Sequence, residues 1–283
     1  MNIYILSRTV FQLYRAILAA IFMLLVAGCS SQQVKPDAHE SVNATLWAQT
    51  AAEYAASTTQ AYHVAASNLD LALANPHWTA ALEQQGDYTG LPPAVMMDID
   101  QTVLDNSRYN ARIIMQRSGH TLEKFGEWCE EAAAPAIPGA KEFVDYAVER
   151  GVTIIYYSKR RETMRDCTTR NLEAFGFPLP DQAHLLLRDD RLSTSKAKQR
   201  TGLASQFRIL LLVGDDLDDF VAGSNADPAA RRALASQHAD RWGREWIILP
   251  NPMYGHWESS IYGFDYTLPR GERLQRKLQQ LEQ

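Results

Sequence analysis

The sequence predicts an α/β protein built on a parallel sheet with helices on both flanks. Short apolar runs recur along the chain, and each stops at a polar cluster. The segments between them carry apolar residues at helical spacing, the alternation expected of strand–helix–strand units with right-handed crossovers. Two of the runs end in aspartates, Asp98/Asp100 and Asp215/Asp216/Asp218/Asp219. In an open parallel sheet, such strand ends share the carboxyl edge, where ligands bind.

In chain order, residues 43–74 are Ala-rich and free of Pro and Gly, with Trp47, Tyr54, Tyr62 and Leu69 on one stripe. That predicts one long helix whose aromatic face packs on the core, ended by Asn75-Pro76. Leu91-Pro92-Pro93 then introduces the first strand, from Ala94 into Asp98. Residues 107–137 mix helical pieces with aromatics and charge and predict a small helical cap. Pro138-Gly139-Ala140 opens a helix to about Arg150. Val152–Tyr157 is the second strand, ending at Ser158. A helix over about 162–174, a short strand at Leu185–Leu187 and a polar run from Arg188 into a helix follow. Ile209–Val213 is the fourth strand, and the acidic loop Gly214–Asp219 follows at once. A helix at about Pro228–Gln237, a strand at Trp246–Leu249 and a charged helix from about Gly271 complete the chain. There is no internal repeat.

The first segment differs in kind from the rest. Arg8 and Arg15 are the only charges before the apolar run Ala16–Val26. That run is too short to span a bilayer as a helix and fits the core of a signal peptide. It closes in Val26-Ala27-Gly28-Cys29, which resembles a bacterial lipobox. The resemblance implies cleavage after residue 28 and a lipid on Cys29. It also implies outer-membrane sorting, because Ser30 rather than Asp follows the cysteine. The expected organisation is a signal peptide at 1–28, a polar tether at 29–42 and one folded domain at 43–283. Loss of Arg8 and Arg15 moves the formal charge from −5 to −7, which argues against a nucleic-acid partner. Cys129 and Cys167 are left, either paired in an oxidising compartment or buried as free thiols.

The acidic ends carry the chemistry. Asp98 and Asp100 stand two apart on a strand and face one side. Carboxylates held together repel, and a bound cation or a shared proton relieves this. A dense oxygen-ligand set suits a hard cation, with Mg²⁺ the best fit because it needs one or two carboxylates plus water and phosphate. The acidic run at 215–219 by itself would be a solvated turn. It gains meaning from following a strand while a second Asp-x-Asp follows another. The histidines are scattered without zinc-ligand spacing.

These residues resemble the motifs of the haloacid dehalogenase superfamily of phosphatases: Asp98 to Thr102, Ser158, a lysine before the fourth strand, and Gly214 to Asp219. The closer resemblance is to class C acid phosphatases, bacterial outer-membrane lipoproteins with 5′-nucleotidase activity. It rests on Asp-Asn-Ser-x-Tyr at 105–109, Pro-Gly-Ala at 138–140, Gly-Asp-Asp-Leu-Asp-Asp-Phe at 214–220 and Asn-Pro-Met-Tyr-Gly-His-Trp-Glu at 251–258. It implies a Rossmann-like parallel sheet with a small helical cap, and hydrolysis of phosphate monoesters through an aspartyl-phosphate. Asp98 is then the nucleophile and Asp100 the acid and base. Ser158 and Lys196 bind phosphate, with Lys198 the other lysine at workable spacing. Asp98, Asp100 through its carbonyl, Asp215 and Asp219 hold Mg²⁺, with Asp216 an alternative to Asp219. Trp128, Tyr254 and Tyr109 are the candidates for stacking on the base of a nucleotide, or for packing the cap. Gln101, the run Ser158-Lys159-Arg160 and Asp216 depart from the family's usual residues. The expected substrates are nucleoside 5′-monophosphates and nicotinamide mononucleotide, with activity on the acid side. The competing readings are a nonspecific phosphomonoesterase and a lipoprotein that binds haem or nucleotides without turnover. The oligomeric state, a homodimer included, is left open.

Overall fold

The computed structural model describes residues 40–179, 181–189 and 195–282; the signal-peptide, lipobox and tether expectations up to residue 39 lie outside them. Five strands, β1 (Pro93–Met97), β2 (Thr153–Arg161), β3 (Leu185–Arg188), β4 (Arg208–Gly214) and β5 (Trp246–Ile248), form one sheet in the order β3-β2-β1-β4-β5. Every pairing is parallel. The strand order reverses around β1, so the crevice beyond its carboxyl end is the natural ligand site.

β1 reads as unbroken Ala-Val-Met-Met because it is covered on both faces, and all four side chains are fully buried. Val95, Met97, Ile154, Tyr156 and Val213 join one core, with Tyr62 and Phe143. Ala94, Met96, Ile155, Tyr157 and Leu212 join the other, with Phe220 and Trp246. Val95 and Met97 lie beside Ile154, Tyr156 and Val213 in register, so the alternation is a direct consequence of strand pleating.

The predicted long N-terminal helix is in fact two, α1 (Val42–Thr50) and α2 (Ala52–Ala74). Ala51 takes an extended conformation at the break. The rings of Trp47 and Tyr54 meet edge to face across it, 5.3 Å apart. The bend lays α1 on α3 (Ser107–Met115) while α2 packs along α5 (Ala140–Glu149), a tertiary demand that no Pro or Gly announces. Gly139 allows the second contact: its φ is +89°, and a Cβ there would stand 3.1 Å from Tyr62 and the Thr59 backbone.

The cap consists of α3 and α4 (Leu122–Glu130), inside the predicted 107–137 segment. α6 (Arg165–Ala174) is preceded by a 3₁₀ turn at Glu162–Met164, so the predicted helix start is three residues early. β2 runs three residues past Ser158, where the sequence reading stopped it. α7 (Lys196–Ala204), α8 (Pro228–Gln237), α9 (His256–Ile261) and α10 (Arg270–Leu278) complete the fold. None of the described helices is long and apolar enough to cross a membrane.

Candidate active site

The acidic cluster is assembled by β1, β4 and α7. The chain continues β1's pairing for one residue, with the Asp98 N–H donating to the Val213 carbonyl at 2.9 Å, which fixes where the Asp98 carboxylate emerges. On the β4 side, the loop holds itself. The Asp216 N–H donates to Asp219 Oδ2 at 2.9 Å, and the Asp218 N–H to Asp216 Oδ1 at 3.1 Å. Gly214 is required by this folding-back, since a Cβ there would stand 2.1 Å from Asp219 Oδ2. Tyr157 and Arg200 anchor the same loop from beneath by donating to the Asp219 carbonyl at 2.6 and 3.0 Å.

Lys196, at the start of α7 behind the N-cap hydroxyl of Ser195, is buried and bridges Asp98 and Asp219. Ligand oxygens of Asp98, Asp215 and Asp219 all lie within 4.8 Å of one another. Asp215 is braced by Asn251 Nδ2 at 2.8 Å and Thr102 Oγ1 at 3.4 Å. Burial pushes the Asp98 carboxyl up to about 7, with Lys196 opposing and Asp219 and Asp100 adding to the rise. Burial and the charges of Asp98 and Asp219 push Asp215 well above the usual range. Burial works against the Lys196 ammonium, but Asp219 and Asp98 outweigh it and hold the amine charged. Three carboxylates, Asp98 and Asp219 buried and Asp215 half-buried, remain electrostatically undercompensated by a single lysine. They fit a small, hard divalent cation with oxygen ligands.

Asp100 has a separate environment. Arg160 Nε reaches its two oxygens at 3.0 and 3.2 Å, and Nη2 reaches Oδ1 at 2.8 Å. Asn106 Nδ2 donates at 2.6 Å and Ser158 Oγ at 3.2 Å. Burial would raise this carboxyl, but the charge and hydrogen bonds of Arg160, with those of Asn106 and Ser158, hold it below the usual carboxylate range. Arg160 was missed in the sequence. Its signal was present, because it stands two residues beyond Ser158 and shares its face once β2 is extended.

Asn106 is a junction. Its N–H donates to the Gln101 side chain at 2.5 Å, its Oδ1 accepts from Trp128 Nε1 at 3.1 Å, and its Nδ2 approaches the Tyr254 hydroxyl at 3.5 Å. Gln101 adopts φ +58° in the turn after β1 and also donates to Tyr54 at 3.3 Å, so its amide braces this turn on both sides. Trp128 is buried, its N–H spent on Asn106 and Arg112 5.4 Å over its ring. Tyr109 is buried too, its hydroxyl on His120 at 2.9 Å and its ring edge to face with Phe125. Both lie deeper in the cap than a stacking platform needs. Tyr254 is half-buried above Asn106.

Of the remaining candidates, Lys198 is exposed, two residues from both Lys196 and Arg200 and so on the face of α7 opposite the buried one that carries them. Asp216 faces away from the cluster. It accepts the His256 N–H at 2.7 Å, and its pKa is lowered against the cost of burial by His256 and Lys159. Lys159 sits 3.0 Å from both Asp218 and the His256 ring. Cys129 and Cys167 form a disulfide, joining α4 to α6 with 5.5 Å between their Cα atoms.

Comparison with known proteins agrees with this arrangement. Residues 17–257 match the family model described as HAD superfamily, subfamily IIIB (acid phosphatase). The class C acid phosphatase from Bacillus anthracis is similar over 86% of this chain and 97% of its own, at 32% identity and a TM-score of 0.78. Its tungstate-bound form gives the same values. A parallel sheet with an acidic carboxyl edge, a family match over most of the length and this likeness to a solved relative lead to one conclusion: the chain belongs to the class C acid phosphatases of the haloacid dehalogenase superfamily and is a phosphomonoester hydrolase.

Proposed function

We propose that the protein hydrolyses nucleoside 5′-monophosphates and nicotinamide mononucleotide, with Mg²⁺ as cofactor and Asp98 as nucleophile. The observation that carries this reading is the contrast between two neighbouring aspartates. Asp98 is grouped with Asp215, Asp219 and Lys196, whereas Asp100 is set apart on Arg160. A phosphate monoester is already anionic, so the site must cancel charge as well as supply a nucleophile.

Asp98 attacks phosphorus and the ester oxygen departs, leaving an aspartyl-phosphate. This splits one difficult displacement into two easier ones. Asp100 gives a proton to the departing oxygen and then takes one from the water that cleaves the intermediate. Ser158 and Lys196 hold the phosphoryl oxygens. Asp98, the Asp100 carbonyl, Asp215 and Asp219 would hold the divalent ion, which supplies charge neutralisation for nucleophile and phosphoryl group alike. Because Arg160 lowers Asp100, its protonated form is scarce at neutral pH, and hydrolysis weakens as pH rises. The Bacillus anthracis relative is described with tungstate bound, and tungstate, like phosphate, is an oxyanion, which supports this reading.

Tyr254 is the stacking surface for the base. Aromatic stacking tolerates different bases, so the reading is a broad nucleotidase. Ala27-Gly28-Cys29 supports removal of residues 1–28, a lipid on Cys29, a tether at 29–42 and an outer-membrane site for the catalytic domain at 43–283. The test is phosphate release from adenosine 5′-monophosphate, nicotinamide mononucleotide and glucose 6-phosphate at equal concentration, with Mg²⁺ and with chelator. Nucleotides should lead and chelator should stop release. Equal rates on the sugar phosphate would favour the nonspecific phosphomonoesterase.

A further inference from the structure

We propose that the Cys129–Cys167 disulfide is a positioning device for the leaving-group acid: it fixes the seat of the Arg160 guanidinium, and through it the direction of the Asp100 carboxylate. The inference rests on the proton role given to Asp100 above and adds the element that aims it.

The Arg160 side chain is 1% exposed. Nε and Nη2 are spent on Asp100. Nη1 is spent on the seat, 3.1 Å from Thr168 Oγ1 and 3.6 Å from Cys129 Sγ. The Phe125 ring lies 5.4 Å from the guanidinium, and Met164 packs with the two half-cystines and Phe125. Thus α4 supplies Phe125 and Cys129, and α6 supplies Thr168 and Cys167. The guanidinium lies where the disulfide joins the two helices.

α4 needs such a fastening. Nine residues are too few to hold a helix by local bonds, and Trp128 and Cys129 are its only fully buried residues. Beyond the disulfide, Arg170 reaches Glu130 at 2.6 Å through an exposed pair, worth well under about 1 kcal/mol. Asn171 keeps the chain after α4 on α6 by exchanging hydrogen bonds with Ala134 at 2.9 and 3.1 Å, but without the covalent link the Cys129 end of α4 can draw back, Nη1 loses the sulfur and keeps Thr168 alone, and a long side chain regains rotamers. The fork on Asp100 is then held less firmly, Asn106 and Ser158 touch one oxygen each, and the carboxyl plane could turn. Proton transfer to a departing oxygen tolerates little misplacement.

The consequence is selective. A departing alkoxide needs its proton during bond breaking, whereas p-nitrophenolate leaves as a stable anion. In the full-length protein with both Cys129→Ala and Cys167→Ala, kcat/KM for adenosine 5′-monophosphate should fall on the order of tenfold, while that for p-nitrophenyl phosphate stays within about twofold. Thr168→Val, which keeps the disulfide and removes the Nη1 acceptor, should shift the ratio in the same direction by less. Should the double variant not fold, the ratio is read on the wild type reduced with dithiothreitol, with circular dichroism confirming the fold. Equal fractional losses on both esters, or no loss on either, would overturn the proposal. Failure of the untreated wild type to hydrolyse either ester would remove the phosphatase mechanism itself, which separates the two failures.

Discussion

Asp98 and Asp100 leave the same strand two residues apart, yet their surroundings drive them in opposite directions. Asp98 enters a pocket with two further carboxylates and one lysine, and burial raises it to about 7. Asp100 meets a two-nitrogen fork from Arg160 with Asn106 and Ser158, which outweighs burial and lowers it. The first pocket is short of positive charge and suits a cation. The second is neutralised by the protein itself and suits a group that must keep its orientation. Pushing two titrating groups apart in this way is how one site separates nucleophilic from acid–base work.

The strongest test exchanges each carboxylate for an amide. Asp98→Asn should lower phosphate release by more than about 10³-fold on alkyl and aryl esters alike, since no nucleophile remains. Asp100→Asn should lower kcat/KM, which reads formation of the aspartyl-phosphate, on the order of 10²-fold for adenosine 5′-monophosphate and far less for p-nitrophenyl phosphate. Identical profiles for the two variants would dissolve the contrast. Next in size is Lys196→Met. It strips the cluster of its one cation and should destabilise the chelated protein by about 3–5 kcal/mol in urea unfolding; a change under about 1 kcal/mol would mean that Lys196 does not compensate the carboxylates.

The third test titrates the first pocket alone. The folded Asp98 value near 7 lies above the ordinary ~4, so between these values the folded protein binds more protons than the unfolded chain. That stabilisation is complete below about pH 4 and is lost as pH rises through 7. Asp100, lowered on folding, contributes in the opposite sense and below this window. The melting temperature in chelator should therefore fall from pH 5 to 8, and Mg²⁺ should flatten the fall; a level profile in chelator would show the carboxylates already neutralised. The smallest effect is expected at the rim. Tyr254→Leu should raise KM for adenosine 5′-monophosphate roughly tenfold, about 1–2 kcal/mol of stacking, and leave glucose 6-phosphate unchanged. A uniform rise on both would make Tyr254 a packing residue.

Much of this architecture is legible one residue at a time. Alternation of apolar runs with helical spacing sets the parallel sheet, and the aspartates at two strand ends mark its working edge, because pleating and crossover handedness are local rules. Ser158 and Lys196, the latter with Lys198 beside it, are named through resemblance to a family's motifs in chain order. What tertiary structure alone decided is how these groups share charge. No spacing rule links Arg160 to Asp100 across sixty residues, joins Cys129 to Cys167, gathers Trp128 and Gln101 on Asn106, or breaks the N-terminal helix at Ala51 to meet the cap. A pKa or a hydrogen-bond partner depends on distances through space and on exclusion of water. A linear pattern specifies which groups are present; only packing sets how far apart they stand.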